Sequence, residues 1–228
     1  PGLVKNGITP WGCIVLDPRP ITGKSTHNIT RKDLFKDFDP NMKFFVASMT
    51  DPSVTEHLIE RDATIWGWHA FTDSLREEDE QGKAIENQQV KLSQELGIPQ
   101  GATLITGGTC AAMRGIGMLH TMGFRDIHLF GFDCCRDEPT DEEKTETTGD
   151  TEGGEVPKPK YIQVNVKENT YWTTGELLAM AQDCEKVFND PGLEGVLSYH
   201  GKDTMVADLW DIKVSQERRP QFKGYYDD

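Results

Sequence analysis

Two adjacent glycines and a threonine, Gly107-Gly108-Thr109, stand where an apolar run gives way to a helical pattern. Glycine has no Cβ atom, so it adopts positive φ and lets a ligand approach the backbone. Thr109 is a preferred N-cap residue, and the free N–H groups of the helix behind it attract anions. The motif therefore predicts a site for a phosphate or carboxylate, with Arg114 in the same helix as a further contact. A tight strand-to-helix turn without a ligand is the alternative.

Two aspartates, Asp17 and Asp133, each follow an apolar run, in the segments LDPRP and FGFD. In an open α/β sheet, ligands bind beyond the carboxyl ends of the strands. Carboxylates placed there hold ribose hydroxyls or a Mg²⁺ ion bound to phosphates. We expect both aspartates to bind Mg²⁺ and Asp17 to contact the nucleotide as well. An ordinary strand-end turn is the alternative for each of them.

One histidine, His69, follows the apolar run TIWGW at another predicted strand end. Imidazole gains and loses a proton near neutral pH, so His69 is a candidate general acid or base. Our predicted catalytic residues are accordingly His69 and Asp133. A purely structural histidine is the alternative.

These residues need a framework that brings strand ends together, and the chain predicts one. Short, nearly continuous apolar runs are typical of strands buried on both faces of a parallel sheet; they cover residues 12–16, 44–49, 64–68, 103–106, 127–132 and 195–199. Helical patterns alternate with them over residues 53–61, 89–96, 110–122 and 174–188. We therefore predict a Rossmann-like α/β fold, which is a doubly wound, mostly parallel sheet with helices on both faces.

The clearest unit within this pattern spans residues 101–133. It reads as a strand, the glycine turn, a helix, a capping glycine at Gly123 and a second strand, which is one βαβ crossover. Gly115 and Gly117 lie inside the helix, where glycine is unfavourable, so they indicate close packing of this helix on the sheet.

The predicted domain covers residues 1–210 and contains one insertion. Residues 136–160 have Val156 as their sole aliphatic residue and are crowded with acidic, Thr, Gly, Pro and Lys residues. Such a segment buries too little apolar surface to offset its ordering entropy, so we predict a solvated loop. Residues 211–228 are predicted to be a polar C-terminal tail.

The overall charge and the cysteines exclude several classes of protein. The formal net charge of −14 argues against a nucleic-acid partner, because a basic face supplies most non-specific affinity for phosphates. No run of 18 apolar residues is present, so we expect no membrane partner. Five cysteines without a CxxC pair are typical of thiols in a reducing compartment, and we expect a cytoplasmic protein.

Three segments of the chain resemble one known family. The segment ITGGTCAAMRGIGMLHTMGFRDIHLFGFD resembles the pattern of a Rossmann-like family that includes 6-hydroxymethylpterin diphosphokinase-like proteins and bacterial motility accessory factors. NGITPWGCIVLDPRP looks like that family's early strand, and TTGELLAMAQDC is similar to its late helix. Residues 5–199 are covered in outline. Asp17, Gly107, Gly108, Thr109 and Asp133 fall on the family pattern.

What the resemblance implies is an α/β protein that handles a nucleotide-activated or diphosphate-bearing substrate. Some members of the family resemble pterin diphosphokinases that use ATP and Mg²⁺, and others resemble glycosyltransferases that move a nucleotide-activated sugar. The family usually opens with a glycine-rich G-x-G-P-S turn, which this sequence does not contain. Its late G-x-G-L turn is also altered here.

Three hypotheses on function follow from these features. The first is a transferase, glycosyltransferase-like or diphosphokinase-like, with a nucleotide or nucleotide-sugar as its ligand. The second is a non-catalytic accessory protein that binds a nucleotide or sugar, which the missing glycine-rich turn favours. The third is a dinucleotide oxidoreductase; Asp126 stands at a suitable distance from Gly107, but the glycines do not follow the G-x-G-x-x-G pattern.

Overall fold

The computed structural model of the chain describes residues 2–23, 31–36, 38–70, 97, 104–105, 107–108, 110–141, 143 and 160–217. The chain divides into two compact units, unit 1 over Pro1–Met118 and unit 2 over Leu119–Asp228. The single domain predicted over residues 1–210 stays a prediction. The predicted helix over residues 89–96 lies outside the described residues.

Unit 1 is built on a four-stranded parallel sheet in the order β1-β2-β3-β4. Its strands are β1 (Gly12–Val15), β2 (Lys43–Ala47), β3 (Thr64–Ala70) and β4 (Leu104–Ile105). Each of them falls on a predicted apolar run, so the α/β class with a parallel sheet is confirmed. A doubly wound sheet reverses its strand order at one point. The order of these four strands runs in one direction.

Each face of the unit 1 sheet packs against a helix in a buried cluster. Side chains alternate between the faces of a strand, so Phe44 and Val46 point to one face and Phe45 and Ala47 to the other. The first pair joins a buried cluster with Val15, Met42, and Val54 and Leu58 of the helix Pro52–Ile59. The second pair joins Trp68, Ile105 and Met118, the last of which belongs to the helix Ala111–Thr121.

The helices begin and end at residues whose chemistry favours those positions. The carboxylate of Asp51 accepts a hydrogen bond from the backbone N–H of Ser53 at 2.9 Å, which caps the helix Pro52–Ile59. The helix Ala111–Thr121 is followed by Gly123 at φ +97°, in the left-handed conformation that ends many helices. The predicted capping role of Gly123 is therefore confirmed.

Unit 2 combines a parallel strand pair with an antiparallel hairpin. β5 (Ile127–Phe130) pairs in parallel with β8 (Leu197–His200), and β6 (Tyr161–Val166) pairs antiparallel with β7 (Asn169–Thr174). The helices Gly175–Phe188 and Met205–Glu217 complete the unit. The hairpin was not predicted, whereas the helix Gly175–Phe188 lies where residues 174–188 were expected to be helical.

Two sequence predictions for unit 2 need correction or stay partly open. The tail predicted over residues 211–228 begins as helix, because the helix Met205–Glu217 continues past residue 210 while Trp210 packs edge-on against Phe188. The predicted loop over residues 136–160 begins with a bridge between Arg136 and Trp172. Its residues 142 and 144–159 lie outside the described residues. Within the described part of the chain, no helix is long and apolar enough to cross a lipid bilayer.

Candidate functional site

The candidate site of unit 1 lies beyond the carboxyl ends of its parallel strands. Because β1 to β4 all run the same way, their carboxyl ends share one edge of the sheet, which we call the carboxyl edge. Asp17 follows β1, His69 is the penultimate residue of β3, and Gly107 and Gly108 follow β4. Three of the predicted groups therefore belong to the same edge.

The two glycines have the backbone conformation that was predicted. Gly107 has a φ of +125° and Gly108 a φ of +72°, both in the region that side chains disfavour. A Cβ atom on Gly107 would lie 2.5 Å from the carbonyl oxygen of Met113, in the helix that follows. The tight turn and the packing of this helix therefore already require glycine at residue 107. Thr109 lies outside the described residues, so its capping role stays a prediction.

A buried positive charge lies beside the glycine turn. Arg114 is only 4% exposed, and its Nη1 donates a hydrogen bond of 2.6 Å to the carbonyl of Ile105, the last residue of β4. Burying a guanidinium costs free energy unless it is hydrogen-bonded, so this contact fixes the group in place. The end of β4 thus combines positive-φ glycines, the start of a helix and a fixed cation, all of which attract an anion.

The carboxylate of Asp17 is held by Arg19. Oδ1 accepts hydrogen bonds from the backbone N–H and Nε of Arg19 at 3.0 and 2.9 Å, and Oδ2 accepts one from Nη2 at 2.7 Å. The backbone contact is the local turn that aspartate commonly makes two residues ahead. A metal ion at Asp17 would have to displace the guanidinium, so the predicted metal role requires Arg19 to move.

The strand order separates Asp17 from the glycine turn. β1 and β4 are the outer strands of the four, with three interstrand spacings between them, or about 14 Å. The helix Ala111–Thr121 crosses this distance on one face, since a Cβ atom on Gly115 would lie 2.9 Å from Cδ1 of Ile14 in β1. The close packing predicted at Gly115 is confirmed.

His69 lies one strand away from the glycine turn but on the other face of the sheet. It pairs with Leu104 of β4. Alternation along β3 places its side chain on the face of Ile65, whereas Trp68 faces the helix that carries Arg114. Among the described residues, Nδ1 of His69 is buried without a hydrogen-bond partner.

Asp133 belongs to unit 2, where it is exposed and lies three residues after β5. Burial raises the pKa of the Cys135 thiol and of the Tyr199 hydroxyl, and the negative charge of Asp133 adds to both increases. Within the described ranges, no three His, Cys, Asp or Glu side chains form a group that could hold a metal ion. The metal and catalytic roles of Asp133 stay predictions.

One polar cluster of unit 2 was missed in the sequence. His128 of β5 and His200 of β8 contact each other, with Nδ1 of the first 2.7 Å from Nε2 of the second. The signal was the alternation of Asp126, His128 and Phe130 with the apolar residues between them, which is typical of a strand with one exposed face. The pairing with residue 200 is not visible in the sequence.

Comparison of the chain with family models, with curated proteins and with solved structures gives no match. The class of this protein is therefore defined by its own fold, which is an α/β protein with a parallel sheet and polar groups at the carboxyl edge. The resemblance to the diphosphokinase-like family stays a prediction. So does the doubly wound strand order which that resemblance implies.

Proposed function

We propose that this chain is a transferase whose nucleotide-activated or diphosphate-bearing substrate binds at the carboxyl edge of the unit 1 sheet. One observation carries the proposal: the positive-φ turn at Gly107 and Gly108 stands beside the buried guanidinium of Arg114. Backbone N–H groups at a helix start, together with a fixed cation, stabilise the charge that develops on a transferred or departing phosphate. The doubly wound, Rossmann-like topology and a cytoplasmic location belong to the same proposal. All five cysteines are described, and none of them forms a disulfide.

The distance along the edge favours a long ligand. About 14 Å separates the ends of β1 and β4, so a ligand that reaches both must carry two separated polar groups. A nucleotide-sugar or a nucleoside diphosphate has that form. In our proposal a phosphate binds at Gly107 and Gly108, and the sugar or base end extends towards Arg19, whose guanidinium is 53% exposed.

His69 and the two aspartates have defined roles in this proposal. His69 is the proposed general acid or base, and this role requires its buried ring to become accessible to the acceptor. Mg²⁺ neutralises the phosphates at this edge, with Asp17 as its proposed ligand in unit 1; the metal role of Asp133 in unit 2 is a separate prediction. For Asp17 to bind the ion, the Arg19 guanidinium must leave the carboxylate and bind a ligand phosphate instead. A guanidinium can do this because its planar set of N–H donors fits a phosphate as well as a carboxylate.

The same ion pair favours a second candidate function, a binding protein without catalysis. With Arg19 held on Asp17, the carboxylate is already neutralised by the guanidinium and is not available to a metal ion. An anionic ligand could then bind without a metal ion. A nucleotide or sugar phosphate that binds equally well with and without Mg²⁺ would support this candidate over the transferase.

Calorimetric titration of the full-length chain with CMP-sugars, ATP and ADP, each with and without Mg²⁺, tests both candidates. Arg114→Gln should weaken binding about 10- to 100-fold, because it removes a charge-assisted contact worth about 1.5 to 3 kcal/mol. Arg125→Gln is the matched control, since Arg125 donates to the carbonyls of His120 and Phe124 at an exposed helix end. Circular dichroism must first show that both variants fold. Flat titrations of the parent chain with every ligand would refute the proposal.

A further inference from the structure

The strand pair β5–β8 of unit 2 carries a compact polar cluster on its exposed face. Nδ1 of His128 lies 2.7 Å from Nε2 of His200, and Nε2 of His128 lies 3.0 Å from Oδ1 of Asp126. The ring of Phe130 stacks on that of His200, with centroids 4.4 Å apart and the planes at 10°. We call Asp126, His128, Phe130 and His200 the two-histidine cluster. A solute reaches it readily, because the His128 side chain is 44% exposed.

The backbone register builds this cluster. Phe130 stands opposite His200, and His128 stands opposite Ser198, in the parallel pair. Side chains two residues apart share a face, so His128 and Phe130 both lie beside His200. Residues of the opposite face are buried and anchor the strands: Ile127, Leu197 and Tyr199. The two imidazoles are therefore brought together by buried strands and not by mobile side chains alone.

The hydrogen bonds define which ring nitrogen of His128 is available to a ligand. The carboxylate of Asp126 is an acceptor, so the Nε2 that faces it carries the proton. Nδ1 then carries a lone pair, and that lone pair points at Nε2 of His200. At 2.7 Å this contact is a hydrogen bond, so Nε2 of His200 carries its proton, and a metal ion that binds there displaces that proton to Nδ1 of His200 or to solvent. A carboxylate behind a histidine, with the other ring nitrogen open, is the arrangement found around metal-binding histidines.

We propose that Nδ1 of His128 and Nε2 of His200 bind a divalent transition-metal ion of the Zn²⁺ type, with Asp126 as the residue that orients His128. Two nitrogens at about 2.0 to 2.1 Å from a tetrahedral ion lie about 3.3 Å apart. The rings must therefore separate by about 0.6 Å from the 2.7 Å observed, which small side-chain rotations at an exposed surface supply. Imidazole ligands select Zn²⁺, Cu²⁺ or Ni²⁺ over Mg²⁺ and Ca²⁺.

The site is an open one. In the described part of the chain, no third His, Cys, Asp or Glu completes a ligand group there. Water, or a ligand from outside the described residues, takes the remaining positions around the ion. Phe130, which is 67% exposed, keeps the His200 ring flat against its own and so lowers the cost of ordering that ring.

Titration of the full-length ¹⁵N-labelled chain with Zn²⁺ alone, followed through the histidine ring nitrogens by NMR, tests the proposal. Stoichiometric Zn²⁺ should shift Nδ1 of His128 and Nε2 of His200, and His128→Ala or His200→Ala should abolish the shift at the remaining ring. His120→Ala is the matched control, because His120 lies outside the cluster at the last turn of a helix. Asp126→Asn should weaken Zn²⁺ binding about 10- to 100-fold while both histidines remain.

Two results would overturn the proposal. One is a pair of ring signals for His128 and His200 that Zn²⁺ leaves unchanged. The other is Zn²⁺ binding that is equally strong in the parent chain and in both alanine variants, which would place the ion on other groups such as the five thiols. Nucleotide binding at unit 1 plays no part in either readout, so the two proposals stand or fall separately.

Discussion

The parallel strands of the two units are covered differently, and this difference decides where their polar groups lie. A buried apolar cluster lies on each face of the unit 1 sheet, and the polar groups Asp17 and the glycine turn stand beyond the strand ends. The pair β5–β8 is buried on one face only, and the other face carries His128, Phe130 and His200. A parallel strand can therefore offer its end or its face to a ligand, depending on what covers it.

The largest contrast is expected between two phenylalanines. Phe44 is fully buried in unit 1, so Phe44→Ala should lower the free energy of unfolding by about 3 to 5 kcal/mol through the cavity it leaves. Phe130 is 67% exposed, and Phe130→Ala should cost less than about 0.5 kcal/mol. Urea unfolding of both variants measures these differences. Similar losses for the two variants would show that the exposed face of β5–β8 is covered after all.

A smaller loss of stability is expected at the glycine turn. Gly107→Ala should lower the free energy of unfolding by about 3 kcal/mol, because a side chain at φ +125° is strained and its Cβ would overlap the Met113 carbonyl. Gly67→Ala in β3 is the control, since no described atom lies within 4 Å of a Cβ there. It should be neutral or slightly stabilising. A tolerated Gly107→Ala would contradict the described turn.

The stability of unit 2 should depend on pH through the carboxylate of Asp208. Unlike the two-histidine cluster, this carboxylate already accepts hydrogen bonds from neighbouring side chains. Burial raises the pKa of Asp208, but hydrogen bonds from Asn169 and Tyr171 and the charge of Lys167 lower it overall. Because the pKa of Asp208 is lower in the fold than the unfolded value of 3.8, the ionised carboxylate stabilises the fold above pH 3.8. This stabilisation is lost as the pH falls through the folded pKa. Asp208→Asn should remove this acid dependence and about 1 kcal/mol at neutral pH.

Tyr171 gives the alkaline counterpart of this prediction. Burial and the hydrogen bond to Asp208 raise its pKa to about 12. The neutral phenol is favoured in the fold, so its contribution is present below the unfolded value of 10.0 and is lost as the pH rises towards 12. In an absorbance titration of the tyrosines, the ionisation step near pH 12 should disappear in Tyr171→Phe. An unchanged titration curve would disprove the contact.

The smallest effect is expected for the exposed ion pair of Asp17. Arg19→Gln should change the free energy of unfolding by less than about 1 kcal/mol, because exposed pairs contribute little. It should nevertheless expose the Asp17 carboxylate to a metal ion. If Mg²⁺ and nucleotide bind together more tightly in this variant, the transferase proposal is strengthened over the binding protein. Weaker nucleotide binding with no effect of Mg²⁺ would favour the binding protein.

The sequence predicted well what depends on local pattern. Continuous apolar runs located the strands of unit 1, because burial on both faces removes polar residues from them. Gly107 and Gly108 were predicted at positive φ from their place between a strand and a helix, and both have it. The packing of Gly115 on β1 followed from the cost of glycine inside a helix.

What the sequence did not predict depends on pairing between distant segments. The positions of β1 and β4 as the outer strands, which separate Asp17 from the glycine turn, were not predicted because strand order leaves no local signal. The hairpin β6–β7 was missed because its turn, Lys167-Glu168, lacks the glycine or asparagine that usually marks one, although Lys167 has a φ of +53°. The contact between His128 and His200 likewise requires the pairing of β5 with β8.

The central claim is that a phosphate binds at the turn between β4 and the helix that begins at Ala111. The most direct test is a ¹H–¹⁵N NMR titration of the full-length chain with ADP and with a CMP-sugar, followed at backbone amides. We expect saturable shifts of Gly107, Gly108 and Ala111, with His200 of unit 2 unchanged. Saturable shifts elsewhere that leave these three amides unmoved, or no shifts with either ligand, would contradict it.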